Sequence, residues 1–202
     1  MVATVSADRR ETSAIPPQRD GRPRTIRGRP QTFMTIALVG MMGAGKSTIG
    51  RHLANHLGVT FIDVDLWVEI RAGKSIARIF EEDGETAFRE METNAALEAL
   101  QEVAVVSLGG GAFISEAVRN ECLAKAVVVY LKVSADELVR RVEFRPAVRP
   151  LVADEPGEKI RALLYEREPI YEMAHVTFET DHKEPSEAAK ALAKILIEHE
   201  AN

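Results

Sequence analysis

The chain has 202 residues, 46% of them hydrophobic and 28% charged, with a formal net charge of −5. That apolar fraction excludes wholesale disorder, and the length suffices for one domain with a real core. The single cysteine, Cys122, excludes an internal disulfide framework, and no apolar run approaches the ~18 residues of a membrane span. Charge is unevenly divided: residues 1–32 hold seven Arg and three acids, whereas the remaining 170 residues hold 19 basic and 28 acidic side chains. An acidic body argues against nucleic acid as a partner, because neutralising phosphates takes a basic face. The composition predicts a cytoplasmic chain with neither nucleic acid nor membrane as partner, and a monomer is expected. An anionic small molecule must then be held by a few placed arginines and by backbone N–H groups.

Residues 1–32 mix Arg, Pro, Gly, Thr and Ser without apolar periodicity and read as a disordered extension. Residues 33–202 read as one domain in which strand-sized apolar runs alternate with helical patterns. Strands are predicted at Met34–Val39, Val59–Val64, Val103–Leu108, Ala126–Val133 and His175–Glu179. Helices are predicted at Gly45–Leu57, around Leu66–Arg71, and at Ile76–Glu82, Glu85–Leu100, Ala135–Val142, Lys159–Met173 and Pro185–Glu198. Ser134 and Ser186 stand near helix starts, where a hydroxyl can cap orphan N–H groups. Residues 143–157 carry three prolines and one glycine and suit a mobile lid. Continuous apolar strands separated by helices predict an α/β fold, a parallel sheet covered on both faces.

The strongest motif is Gly40-Met41-Met42-Gly43-Ala44-Gly45-Lys46-Ser47-Thr48, a G-x-x-x-x-G-K-S match between a buried strand and an amphipathic helix. Its glycines let consecutive backbone N–H groups turn inward toward phosphate oxygens, and the helix dipole adds positive potential there. Lys46 is placed to reach the β- and γ-phosphates, and Ser47 to present a hydroxyl to Mg²⁺. A phosphate cradle by itself does not separate a kinase from a GTPase, an ATPase or a binding module. The Asn-Lys-x-Asp element of common guanine binders is missing, which favours ATP.

The second strand runs into Phe61-Ile62-Asp63-Val64-Asp65, and strand alternation would put both carboxylates on one face beside the cradle. Asp63 then supports the magnesium shell, directly or through water. Asp65 accepts a proton or hydrogen bond from an attacking hydroxyl. Arg89 and Glu92 lie three apart on a predicted helix, either as a plain surface pair or as an anion grip with its rotamer fixed by Glu92. Three successive glycines, Gly109, Gly110 and Gly111, suit a turn where main chain approaches a ligand closely. Arg145 and Arg149 sit in the lid segment, where an arginine can neutralise charge on the transferred phosphoryl group. Arg167 falls late in the next helix, positioned to point back into the cleft, and Arg140 and Arg141 precede the lid, where they would flank an adenine.

Together these residues resemble the shikimate kinase family. The run GMMGAGKST, then FIDVD, Phe88–Glu92, LGGGA, VRPL and Arg167–Tyr171 occur in the order and spacing of that family, from about Met34 to the C-terminus. Ile170, where Leu is common, and a slightly longer lid are small departures. The resemblance implies a three-layer α/β/α kinase fold of the nucleoside-monophosphate-kinase type, with a five-strand parallel sheet ordered 2-3-1-4-5. It also implies ATP-dependent phosphorylation of the 3-hydroxyl of shikimate, in aromatic amino-acid biosynthesis. Carried over by motif, Gly43, Ala44, Gly45, Lys46, Ser47 and Thr48 bind ATP, with Ser47 and Asp63 at Mg²⁺. Asp65, Arg89, Gly109, Gly110, Gly111 and Arg167 bind shikimate. Lys46, Asp65 and the lid residue Arg149 form the catalytic set. A kinase for another polyol acid such as gluconate, or a non-catalytic nucleotide-binding module, are the alternatives on the same scaffold.

Overall fold

The computed structural model describes residues 34–143 and 156–200. The extension 1–32 and most of the expected lid, including Arg145 and Arg149, lie outside the described residues. Five strands form one parallel sheet in the order β2-β3-β1-β4-β5. They are β1 (Thr35–Val39), β2 (Thr60–Asp63), β3 (Ala104–Ser107), β4 (Ala126–Lys132) and β5 (Val176–Glu179). Every residue of β1 and β3, and all but the last of β4, is buried, whereas the edge strands β2 and β5 are buried only in part. That contrast follows from position: central strands are covered by helices on both faces, so Val, Ile, Leu and Ala run without interruption.

Helix α1 (Lys46–Leu57) follows β1 and turns Ile49, Leu53 and Leu57 inward, as its spacing predicts. It packs against α8 (Pro185–Glu200), the last helix of the described residues. Helices α2 (Val64–Ala72) and α3 (Ile76–Glu82) both pack on α4 (Gly84–Ala99), forming a small cap beyond β2. Helix α5 (Glu116–Lys125) lies along β4, while α6 (Ala135–Glu143) and α7 (Pro156–Tyr171) pack on one another.

Three details differ from the sequence expectation. The strand expected through Val64 stops at Asp63, because Asp63 takes the N-cap of α2 and Val64 already has helical geometry. Helix α5 has no counterpart in the expected elements. Only Val118 and Cys122 are buried along it, too few for a recognisable stripe. Ser134 does cap, accepting the Glu137 N–H at 3.4 Å, but Ser186 sits one residue inside α8 rather than at its cap. The folding logic is otherwise that of an open α/β sheet, and the crevice lies past the carboxyl ends of the strands.

Candidate active site

The segments after β1, β2 and β3 leave the sheet at the carboxyl ends of their strands, and α4 and α7 bring Arg89 and Arg167 to the same cleft. The loop after β1 wraps around Lys46, with Gly43 at φ 84° and Gly45 at φ 95°, left-handed conformations that favour glycine. Gly45 is the N-cap of α1 and offers no side chain to the first helical turn. The N–H groups of that turn are therefore left for an anionic ligand, where the helix dipole also favours negative charge. Lys46 is buried, and its Nζ donates to the carbonyls of Gly40 at 2.8 Å and Met41 at 3.0 Å. Its ammonium is folded along the loop it serves.

Ser47 lines the cleft, and its Oγ lies 3.5 Å from the Oγ of Ser107, at the end of β3. Asp63 is the register partner of Ser107 across the β2–β3 ladder. The Asp63 carboxylate accepts the Leu66 N–H at 3.5 Å and so caps α2. Among the described residues no cluster of His, Cys, Asp or Glu could by itself hold a metal ion. The Ser47 and Ser107 hydroxyls line the cleft and are of the oxygen chemistry Mg²⁺ takes alongside phosphates and water, whereas Asp63 is not among the lining residues and its carboxylate is engaged at the α2 N-terminus.

Asp65 belongs to the first turn of α2, so strand alternation is not what brings it to the cleft. The chain turns helical one residue earlier, and the helix start swings Asp65 into the cleft wall while Asp63 stays behind as the cap. Burial raises the Asp65 pKa from 3.8 to about 6; Lys46 opposes the shift and Glu92, Asp63 and Glu69 add to it. Asp65 as a whole residue is half-buried and lines the cleft.

Arg89, on α4, is held on two sides. Its Nη1 donates to Glu92 Oε2 at 2.8 Å, and its Nε and Nη2 donate to Glu85 Oε1 at 3.2 and 3.0 Å. Glu92 is only 2% exposed, so the Arg89–Glu92 pair is an inward clamp and not a solvated surface pair. Burial pushes the Glu92 pKa up, against the pull of Arg89, Lys46 and Arg167. The glycine run explains how these groups fit. A Cβ on Gly109 would run into Glu92 Oε1 and Asp65 Oδ1, and one on Gly111 into the Arg89 guanidinium. The expectation that bare main chain approaches a ligand is thus modified: Gly109 and Gly111 make room for the acidic and basic side chains. Gly110 and Gly111 also line the cleft, and Gly110 lies against the backbone of Met42 in the phosphate loop.

Arg167, on α7, reaches the cleft as expected, and its Nη1 lies 3.4 Å from the Gly110 carbonyl. Asp65, Arg89 and Arg167 thus converge with Lys46 on one cleft of about 1120 Å³, walled on its apolar side by Ile76, Phe80 and Phe88. Arg140 and Arg141 line the same cleft, as do Glu184 and Pro185. Both arginines bind the buried Glu137, with contacts of 2.7 and 2.8 Å from Arg140 and 2.7 Å from Arg141. The hydrogen bond from Arg140, resisted by burial and helped by Arg141, brings the Glu137 pKa down to about 2. Arg141 also donates to the Thr180 carbonyl at 3.0 Å, tying α6 to the end of β5.

Several of these groups escape the sequence reading. Glu85 is visible as an acid four residues before Arg89 on one helix, a pairing distance. Glu137 stands likewise four before Arg141. Ser107 and Thr180 carry no local signal, because only the strand order brings their strand ends to the cleft.

A glycine-rich loop at the head of α1, facing a carboxylate and two guanidinium groups across one cleft at the carboxyl edge of a parallel sheet, has the architecture of a P-loop small-molecule kinase. Comparison with known proteins narrows the class. The family model described as shikimate kinase matches residues 42–197. A shikimate kinase of Thermobifida fusca is 47% identical over 161 residues, 79% of this chain and 92% of that protein. One from Thermus thermophilus is 42% identical over 173 residues, 85% of this chain and 93% of that protein. Among solved structures, the shikimate kinase of Acinetobacter baumannii in complex with shikimate superimposes with a TM-score of 0.81 at 38% identity. That match covers 85% of this chain and 97% of the other. The chain belongs to the shikimate kinase family.

Proposed function

We infer that this chain transfers the γ-phosphoryl group of ATP to the 3-hydroxyl of shikimate, as its family membership indicates, and that the cleft past the sheet's carboxyl edge is where it does so. The observation that carries the site assignment is the convergence of Asp65, Arg89 and Arg167 on the cavity that Lys46 faces. Shikimate is a cyclic acid with three hydroxyls. Two guanidinium groups suit its carboxylate, and one carboxylate suits a hydroxyl. The apolar wall of Ile76, Phe80 and Phe88 suits the ring edge.

In this reading the donor binds along the loop from Gly43 to Thr48, and Lys46 leaves the Gly40 and Met41 carbonyls for phosphate oxygens. Ser47, with Ser107 beside it and Asp63 in support, would hold Mg²⁺, which would supply neutralisation of phosphate charge. Asp65 accepts the hydrogen bond, and as transfer proceeds the proton, of the attacking hydroxyl. Arg89 is aimed by Glu92 and Glu85, and Arg167 approaches from the opposite helix. Little covalent chemistry is asked of the protein; positioning and electrostatics supply the rate. Arg149 completes the set from the lid, and Arg140 and Arg141 flank the adenine.

A monomer is the proposed working unit. No described helix is long and apolar enough to cross a membrane. With the single cysteine buried, a reducing cytoplasm is the proposed location. The test is a coupled ADP-release assay across shikimate, gluconate and nucleoside monophosphates with Mg²⁺ and ATP. Shikimate alone should give sustained turnover, lost on chelation and restored by Mg²⁺. Equal or greater turnover with gluconate would overturn the assignment.

A further inference from the structure

Tyr171 stands outside every role assigned so far, yet it touches both the turn after β3 and the phosphate loop. It is fully buried in the last turn of α7, four residues and hence one helical turn beyond Arg167. Its hydroxyl donates to the Gly110 carbonyl and lies 3.8 Å from the Met41 sulfur of the phosphate loop. Its ring stacks on Tyr130 at 5.3 Å, and Tyr130 in turn lies against Gly40. The Gly110 carbonyl therefore has two donors from one helix face, the Tyr171 hydroxyl and the Arg167 guanidinium.

The two donors differ in what a ligand does to them. A carboxylate arriving in the cleft offers Arg167 a charge-assisted bond, stronger than the one it makes to a neutral carbonyl. Arg167 must release Gly110 to take it. A carbonyl in a filled, water-poor cleft cannot be left without a donor cheaply. The Tyr171 hydroxyl faces no such competition, since Tyr171 is fully buried and is not among the residues that line the cleft. We propose that Tyr171 is a positioning residue for the acceptor site: by holding the Gly110 carbonyl whether or not substrate is bound, it frees Arg167 to turn to the substrate's carboxylate. The inference rests on shikimate being the acceptor, and wild-type turnover of shikimate, measured first, decides that point independently.

Given that turnover, Tyr171→Phe removes one oxygen and keeps the ring stack. Arg167 then becomes the sole donor to Gly110 and is held back from the substrate. The KM for shikimate should rise about tenfold, with kcat and the KM for ATP within about twofold of wild type. A merely structural role would lower Tm and leave that split unmade. In an Arg167→Met background, where position 167 carries no donor, the effect of Tyr171→Phe on the shikimate KM should shrink below about threefold, because the competition no longer exists. An unchanged shikimate KM in Tyr171→Phe, or the same rise in both backgrounds, overturns the proposal. If Tyr171→Phe does not fold cooperatively, Tyr171→Met removes the hydroxyl with a flexible filler, and the same two comparisons apply.

Discussion

The proposed donor and acceptor halves of this cleft are built on different principles. On the donor side, consecutive residues from Gly40 to Thr48 form the loop with their own backbone, and Lys46 folds along it. On the acceptor side, Asp65 comes from α2, Arg89 and Glu92 from α4, the glycines from the turn after β3, and Arg167 from α7. A backbone cradle is local, so it tolerates change in the surrounding helices. A side-chain cradle assembled from four places depends on each packing contact. The donor half should therefore resist substitutions that cripple the acceptor half.

The sharpest way to separate the halves is Asp65→Asn. Turnover should fall by a factor on the order of 10²–10⁴, the usual weight of a positioned acid or base, with ATP affinity unchanged in a nucleotide-binding titration. A parallel loss of ATP binding would mean that the halves are not separable. Next in size is Gly111→Ala, whose new methyl takes the space of the Arg89 guanidinium. We expect kcat/KM for shikimate to drop about 10- to 100-fold while the KM for ATP holds, a result steady-state kinetics can refute directly.

A third effect is the pH profile. With a folded-state pKa of about 6, Asp65 is ionised at neutral pH and protonated below. kcat/KM for shikimate should thus fall roughly tenfold per pH unit below about pH 6, and the residual activity of Asp65→Asn should lack that limb. The smallest effect is on stability. Because the folded pKa lies above the ordinary 3.8, the folded state binds more protons in between, and stability falls as pH rises from 3.8 to about 6. That cost is fully present at neutral pH, so Asp65→Asn should unfold there at a higher temperature, by about 1–3 kcal/mol of stability. Equal or lower Tm would show that the carboxylate is better accommodated than its surroundings suggest.

Legibility from sequence differs between the same two halves. The cradle can be read to the residue, because strand, glycine-bearing turn, lysine and helix are contiguous and each has a local geometric cause. The sheet order follows from resemblance, whereas the apolar runs alone imply only a parallel sheet. Asp65 reaches the cleft for a reason the sequence does not give: alternation along a strand predicts its position, whereas a helix begun at Val64 delivers it. Helix α5 escapes a sequence reading because a helix with only two buried residues leaves almost no periodic trace. The glycine run stands out in the sequence, yet its purpose emerges only from Glu92, Asp65 and Arg89 occupying the space that side chains there would take.

By itself the amino-acid order determined the phosphate loop, the buried strands and the identity of the charged groups, since these depend on chemistry within a few consecutive residues. Only the tertiary structure decided that Glu92 is buried against Arg89, that Ser107 meets Ser47, and that Tyr171 and Arg167 share one carbonyl. Most of those contacts join residues distant in the chain, and their geometry is set by how helices pack on a twisted sheet, which no local pattern encodes.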